Sequence, residues 1–176
     1  MKIETKIPLY NLVNMLLTGM IFIGANTFIF RDRLQEFGQM LDIGNTGLEV
    51  IIILSLLAVA YQVGYVLFRL GAVVVGPILK LARLDQRTGA YADFNEARKK
   101  SQFLETLSRE YASARTQIAT FVVLMIISLA TLQWIIASIS LLVVAVFVLT
   151  ARTHSMKIND VIKRHIEKRE KEEEKK

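Results

Sequence analysis

Apolar residues in this chain fall in blocks rather than alternating with polar ones. Positions 9–30 run for 22 residues without a charge, positions 50–68 (VIIILSLLAVAYQVGYVLF) for 19, and positions 116–151 for 36. At 1.5 Å of rise per residue the 50–68 run makes a helix of about 28 Å, matching the hydrocarbon thickness of a bilayer. Glu49 and Arg69 close it on either side. The third tract would reach about 54 Å as one helix, nearly twice the membrane. It reads better as a hairpin of two spans, 116–133 and 135–151, turning near Gln133 and Trp134 with the indole at the far interface. No Gly or Pro marks that turn. Hydropathy alone leaves open a three-span protein with one overlong tract.

The polar positions add local detail. In the first span Asn11, Asn14, Thr18 and Ala25 share a face about 60° wide at 100° per residue. Amides facing lipid are costly, so this face should look at protein, as interhelical hydrogen bonds or as a pore lining. Leu34, Phe37 and Leu41 have the spacing of a short interfacial helix, and GNTG at 44–47 reads as a turn before the second span. Beyond Arg69 the apolar pattern continues, and Gly76-Pro77 should kink or interrupt it, because proline lacks a backbone donor and crowds the preceding turn. Leu70, Val73, Val74, Ile78, Leu81 and Leu84 recur at three or four residues, with Lys80, Arg83 and Arg87 mostly elsewhere. That pattern fits a basic amphipathic helix at the membrane surface, or a plain extension of the second span. Arg69, Lys80, Arg83 and Arg87 are the candidate membrane-surface residues.

Positions 86–89 look like a turn, and Asp93 with Glu96 makes a capping-box-like helix start. Phe94, Ala97, Ser101, Leu104, Leu107, Tyr111, Ala114 and Ile118 then form a helical stripe, with Glu96/Lys100 and Glu105/Arg109 as i,i+4 pairs. Nothing obvious stops this helix between Asp93 and Trp134, so an unbroken rod into the third span is expected. In the tail, Ile158, Val161, Ile162 and Ile166 make a narrow stripe suited to packing on the central loop or on a neighbouring subunit. The terminal KEEEKK reads as a solvated end.

Composition agrees with the blocks. The chain has 176 residues, is 53% hydrophobic with a mean hydropathy of +0.40, and still carries a net charge of +6. In a soluble domain such apolar and charged content would be interleaved. With four spans, twenty of the 22 basic residues lie on one side, and only Arg31 and Arg33 on the other, beside Asp32, Glu36, Asp42 and Glu49. This positive-inside bias places both termini and the central loop in the cytoplasm, and the protein in the cell inner (plasma) membrane. Lys2 and Lys6 before an apolar run imitate a secretory signal. At 22 residues the run exceeds an h-region of about 7–15, and no A-x-A site follows, so an uncleaved span is expected. The expected fold is all-α: an integral membrane four-helix bundle over 1–151 with a cytosolic helical stalk at 70–115, then a charged helical tail over 152–176.

Candidate chemistry is sparse. With no cysteine, disulfides, thiolate metal sites and a cysteine nucleophile are excluded. His154 and His165 lie in the tail without a metal-ligand cluster or a catalytic pattern around them. No ionisable side chain falls inside a predicted span, which argues against a proton-coupled transporter. Arg98-Lys99-Lys100 alone is too little for a nucleic-acid face, and basic residues beside spans are what an anionic lipid surface attracts. No catalytic residue, cofactor or metal is expected, and nucleic acid is not an expected partner.

IPLYNLVNMLLTGMIFIG at the start, YQVGYVLFRLG at the end of the second span and LSREYASARTQ before the third resemble small multi-pass inner-membrane proteins of bacterial antiphage defence loci. The resemblance implies an effector or sensor that disturbs or monitors the membrane with a soluble partner, and it carries over no functional residue. The expected function is a non-catalytic, homo-oligomeric membrane effector or sensor with a cytosolic protein partner. The alternative is a channel or transport subunit for a small solute, lined by Asn11, Asn14 and Thr18.

Overall fold

The computed structural model describes residues 9–31, 46–85 and 91–173, and every regular element among them is a helix. Helix α1 spans Leu9–Ile29. Helix α2, Thr46–Leu70, runs through one π-helical turn at Gly71–Val75 into the short α3, Gly76–Leu81. Helices α4 (Tyr91–Lys100), α5 (Gln102–Ala130) and α6 (Trp134–Glu173) follow. Four stretches are long and apolar enough to cross a membrane: Leu9–Ile29, Glu49–Leu81, Gln102–Ala130 and Trp134–Lys171. Their outward faces are apolar, with Ile51, Leu54, Ile135 and Leu142 all exposed. An apolar surface that extensive belongs in lipid, and this is a membrane protein.

The 116–151 tract is divided, as its length demands. Helix α5 ends at Ala130, and Leu132 takes a left-handed conformation with φ of 58°. The Gln133 N–H donates to the Ser128 carbonyl at 2.8 Å and the Leu132 N–H to Leu129 at 3.2 Å. These are the two bonds of a Schellman motif, with leucine where glycine is usual. The turn needs no Gly because one strained residue suffices, and Trp134 then opens α6.

Helix α3 ends in the same way. Arg83 has φ of 56°, the Leu84 N–H donates to Leu79 at 2.9 Å and the Arg83 N–H to Lys80 at 3.1 Å. The second tract is therefore a plain extension of α2 rather than a separate surface helix, and its irregularity precedes Gly76-Pro77. The Gly76 N–H bonds to the Gly71 carbonyl five residues back, and Pro77, which has no N–H to give to the ladder, follows in the first turn of α3. The buried face there is Gly71, Val75 and Leu79. Of the expected apolar stripe, Leu70, Val73, Val74, Ile78 and Leu81 are all exposed and Leu84 is half-buried.

Two further expectations differ. The rod expected from Asp93 to Trp134 breaks at Ser101, whose extended backbone (φ −133°, ψ 107°) and Oγ, accepting from the Leu104 N–H at 3.3 Å, form an N-cap. Helix α4 is already helical at Tyr91, two residues before Asp93, and α2 is helical from Thr46, inside the expected 44–47 turn. The tail, by contrast, joins the fourth span in one 40-residue helix. The expected helix at Leu34, Phe37 and Leu41, the 86–89 turn with Arg87, and the last three residues lie outside the described residues.

Helix α5 is the hub: it packs on α1, α2, the π turn, α4 and α6. At one end, which gathers most of the described Lys and Arg, an apolar core joins Leu79, Ala97, Leu104, Leu107, Ile158 and Ile162. The tail stripe thus packs on the central segment of its own chain. At the other end Gln133 Nε2 donates to the Ile29 carbonyl at 2.9 Å, tying the end of α1 to the α5/α6 turn.

Candidate functional site

The best-defined polar constellation lies at the charged end, where α3, α5 and α6 meet. The turn closing α3 delivers Asp85 between two buried hydroxyls. Tyr111 Oη of α5 donates to Asp85 Oδ2 at 3.0 Å, and Ser155 Oγ of α6 donates to Asp85 Oδ1 at 3.1 Å. Tyr111 is 1% exposed and Ser155 0%. Hydrogen bonds to a carboxylate from buried donors are among the stronger ones available. One turn along α5, the Arg115 guanidinium lies over the Tyr111 ring, 4.8 Å from its centroid. Two glycines admit this helix: a Cβ on Gly71 would lie 2.9 Å from the Arg115 carbonyl, and one on Gly76 would lie 3.0 Å from Arg115 Nη1.

Farther along, α4 and α5 are clamped to the tail. Glu96 Oε2 pairs with Arg169 Nη1 at 3.3 Å. His165 Nε2 lies 3.8 Å from Glu96 Oε1, and His154 Nδ1 lies 3.3 Å from Glu110 Oε2. Glu105 meets Arg109 at 2.6 Å, the i,i+4 pair the sequence suggests. The two histidines are thus interhelical contacts. Among the described residues, no group of three or more His, Cys, Asp or Glu could hold a metal ion.

The first-span stripe points at α5. Ser113 Oγ donates to Asn14 Oδ1, and Gln117 Nε2 donates to Thr18 Oγ1, each at 3.1 Å. Asn11 is half-buried, and Thr18 is wholly buried. No protein-family model, curated protein or solved structure matches the chain.

Of the basic candidates, Arg69, Lys80 and Arg83 are exposed around α3, and Arg87 lies outside the described residues. Arg69 turns back on its own helix, with Nε and Nη2 donating to Tyr65 Oη at 3.0 and 2.9 Å. Beside α3 a groove of about 350 Å³ is lined by apolar side chains, including Leu70, Val74, Ile78, Val122 and Val148. With no polar group to orient a solute, it can select only hydrocarbon.

Sequence reasoning missed Asp85, Tyr111 and Ser155 as a unit, because Asp85 and Ser155 are 70 residues apart and no local spacing links them. It also missed the seam between α1 and α2, where a Cβ on Gly19 would strike the Ala60 carbonyl and one on Gly64 the Met15 carbonyl. That seam did leave a signal: Ala60 and Gly64 stand four apart, the small-xxx-small spacing of closely packed membrane helices.

Proposed function

We propose that this chain is a non-catalytic inner-membrane protein that acts as a homo-oligomeric effector or sensor and receives its signal from a cytosolic protein partner. Both termini and the stalk lie in the cytoplasm, on the strength of the charge bias. The observation that carries this reading is mechanical. Helix α6 is a single rod from Trp134 to Glu173, and its tail is locked to α4 and α5 through Glu96–Arg169 and the Asp85 cluster. A partner that moves the tail must move the membrane half with it. The resemblance of the opening, YQVGYVLFRLG and LSREYASARTQ segments supports antiviral defence as the setting.

Purification of the full chain in detergent, with mass determination and a cross-linking pull-down on the stalk, tests the proposal. An assembly larger than one chain and a cytosolic protein cross-linked to α4 or the tail are expected. A strict monomer with no such partner would refute it. Solute flux into liposomes that disappears with Asn14→Leu would replace it with the channel reading. Phage challenge of cells with and without the gene tests the defence setting.

A further inference from the structure

From Ala60 onward helix α2 buries one face and leaves the other bare, whereas from Glu49 to Val59 it is exposed all round. The buried face carries Ala60, Gly64 and Leu67, continued by Gly71 of the π turn, against α1 and α5. Gln62 is two residues from both Ala60 and Gly64, about 200° round the helix from each, so it points away from the bundle. It is exposed and makes no side-chain hydrogen bond among the described residues. Its depth makes this notable. Arg69, the nearest charge on the helix, is seven residues on, so Gln62 lies about 10 Å from it, well inside the apolar stretch Glu49–Leu81 and within the hydrocarbon. A primary amide has two donors and two acceptor sites, and lipid satisfies none of them.

Gln62 also belongs to a pattern. Ile52, Ser55, Val59, Gln62, Val66 and Arg69 alternate in steps of three and four residues, and every one is exposed. This is the spacing of a seam between two helices crossing at about 20°. Ser55, Val59 and Val66 are short enough for close approach.

We infer that the Ile52–Arg69 face of α2 is a two-fold interface with a second copy of this chain, in which the two Gln62 amides hydrogen-bond to each other. The inference rests on the self-associating membrane protein proposed above and names its contact surface. Two features favour a second copy over an unrelated partner. An amide is self-complementary, so a parallel pair related by a two-fold axis satisfies both sides with one residue. Arg69, which would otherwise meet its own image, is drawn back onto Tyr65, with its guanidinium 5.2 Å from that ring's centroid.

The chain contains no cysteine, so single-cysteine variants report cleanly. Full-length protein is reconstituted in vesicles at low protein-to-lipid ratio and oxidised. Ser55→Cys, Val59→Cys and Val66→Cys should give disulfide dimers, whereas Ile53→Cys and Leu57→Cys, exposed but off the seam, should not. Gln62→Leu should weaken dimerisation about five- to thirty-fold, and Gln62→Asn should retain most of it. Cross-linking at Ile53→Cys or Leu57→Cys equal to the seam positions, or a dimer equally tight with Gln62→Leu, overturns the interface while leaving self-association intact. No cross-linking at any of these positions overturns the interface, and a single-chain mass for the detergent-purified protein overturns self-association with it.

Discussion

The α1/α2 contact makes the sharpest quantitative prediction. Gly19 and Gly64 face each other across the crossing, and a Cβ at either would run into a partner backbone carbonyl, Ala60 for Gly19 and Met15 for Gly64. A side chain could rotate out of such a clash, but a carbonyl inside a helix cannot, so the helices must separate. Gly24, on the same helix as Gly19, has nothing within 4 Å of where its Cβ would be. All three are mid-helix, so Gly→Ala raises helix propensity by about 1 kcal/mol at each. That gain cancels in a comparison, which isolates the steric term. Overpacking costs about 1–3 kcal/mol, and contact with backbone rather than side chain puts the cost at the upper end. Gly24→Ala should therefore stabilise by up to about 1 kcal/mol, and Gly64→Ala should destabilise by about 2 kcal/mol. The double change Gly19→Ala/Gly64→Ala should cost less than the sum of the single ones, because helices parted at one point relieve the other. Helical circular dichroism during unfolding of detergent-solubilised protein by SDS measures all four variants. If Gly64→Ala and Gly24→Ala shift the midpoint alike, the close approach is not what holds the hairpin.

Three other outcomes follow from the hydrogen bonds and backbone. Tyr111→Phe should cost about 1.5–3 kcal/mol by removing a buried donor to Asp85. In a cycle with Ser155→Ala it should be non-additive, which the same unfolding assay resolves. Leu132→Gly should raise the unfolding midpoint by the equivalent of about 0.5–1 kcal/mol, since relief of the left-handed leucine exceeds the entropy cost of glycine. Gln117→Leu and Thr18→Val should each cost about 0.6 kcal/mol, and the pair scarcely more than one alone, because they remove the same interhelical bond.

How far the sequence reveals this architecture depends on how local each cause is. The spans, the charged end and the buried stripe from Ala97 through Leu104, Leu107 and Tyr111 to Ile118 were legible, because hydrophobic period and charge act over a few residues. Tract length predicts a turn near Gln133 and Trp134, and it falls at 131–133, although its mechanism, a left-handed leucine, has no compositional mark. Ser101 was legible in principle as a serine ahead of Leu104 and Glu105, but its place on an otherwise continuous stripe hid the break. The π turn answers Pro77 from the N-terminal side, so the residue that causes it lies just beyond it. Asp85 could not be recognised, because an acid after a basic helix is ordinary until Tyr111 and Ser155 close on it.

The bonds between helices also decide where motion can go. Asn14 and Thr18 tie α1 to α5 near the charged end and Ile29 ties it to the α5/α6 turn, so α1 is held in axial register at both ends. Helices α5 and α6 are joined by the Phe121–Phe147 stack, at 6.4 Å between centroids, and by Asp85 below it. A displacement of the tail is then taken up by the whole bundle, provided that α6 stays continuous across 150–155. Thr153→Pro tests that condition. It removes the N–H of residue 153 and crowds the Leu149 carbonyl, costing about 3 kcal/mol locally. If the rod holds the tail in place, hydrogen exchange over 158–170 should speed up at least tenfold while 134–148, packed on α5, stays protected. If Ile158 and Ile162 dock on Leu104 and Leu107 without help from the rod, protection over 158–170 will survive the proline. The tail would then be joined to the membrane half through α5, which carries Leu104 and Leu107, and a partner's displacement of the tail would pass along α5 rather than along α6.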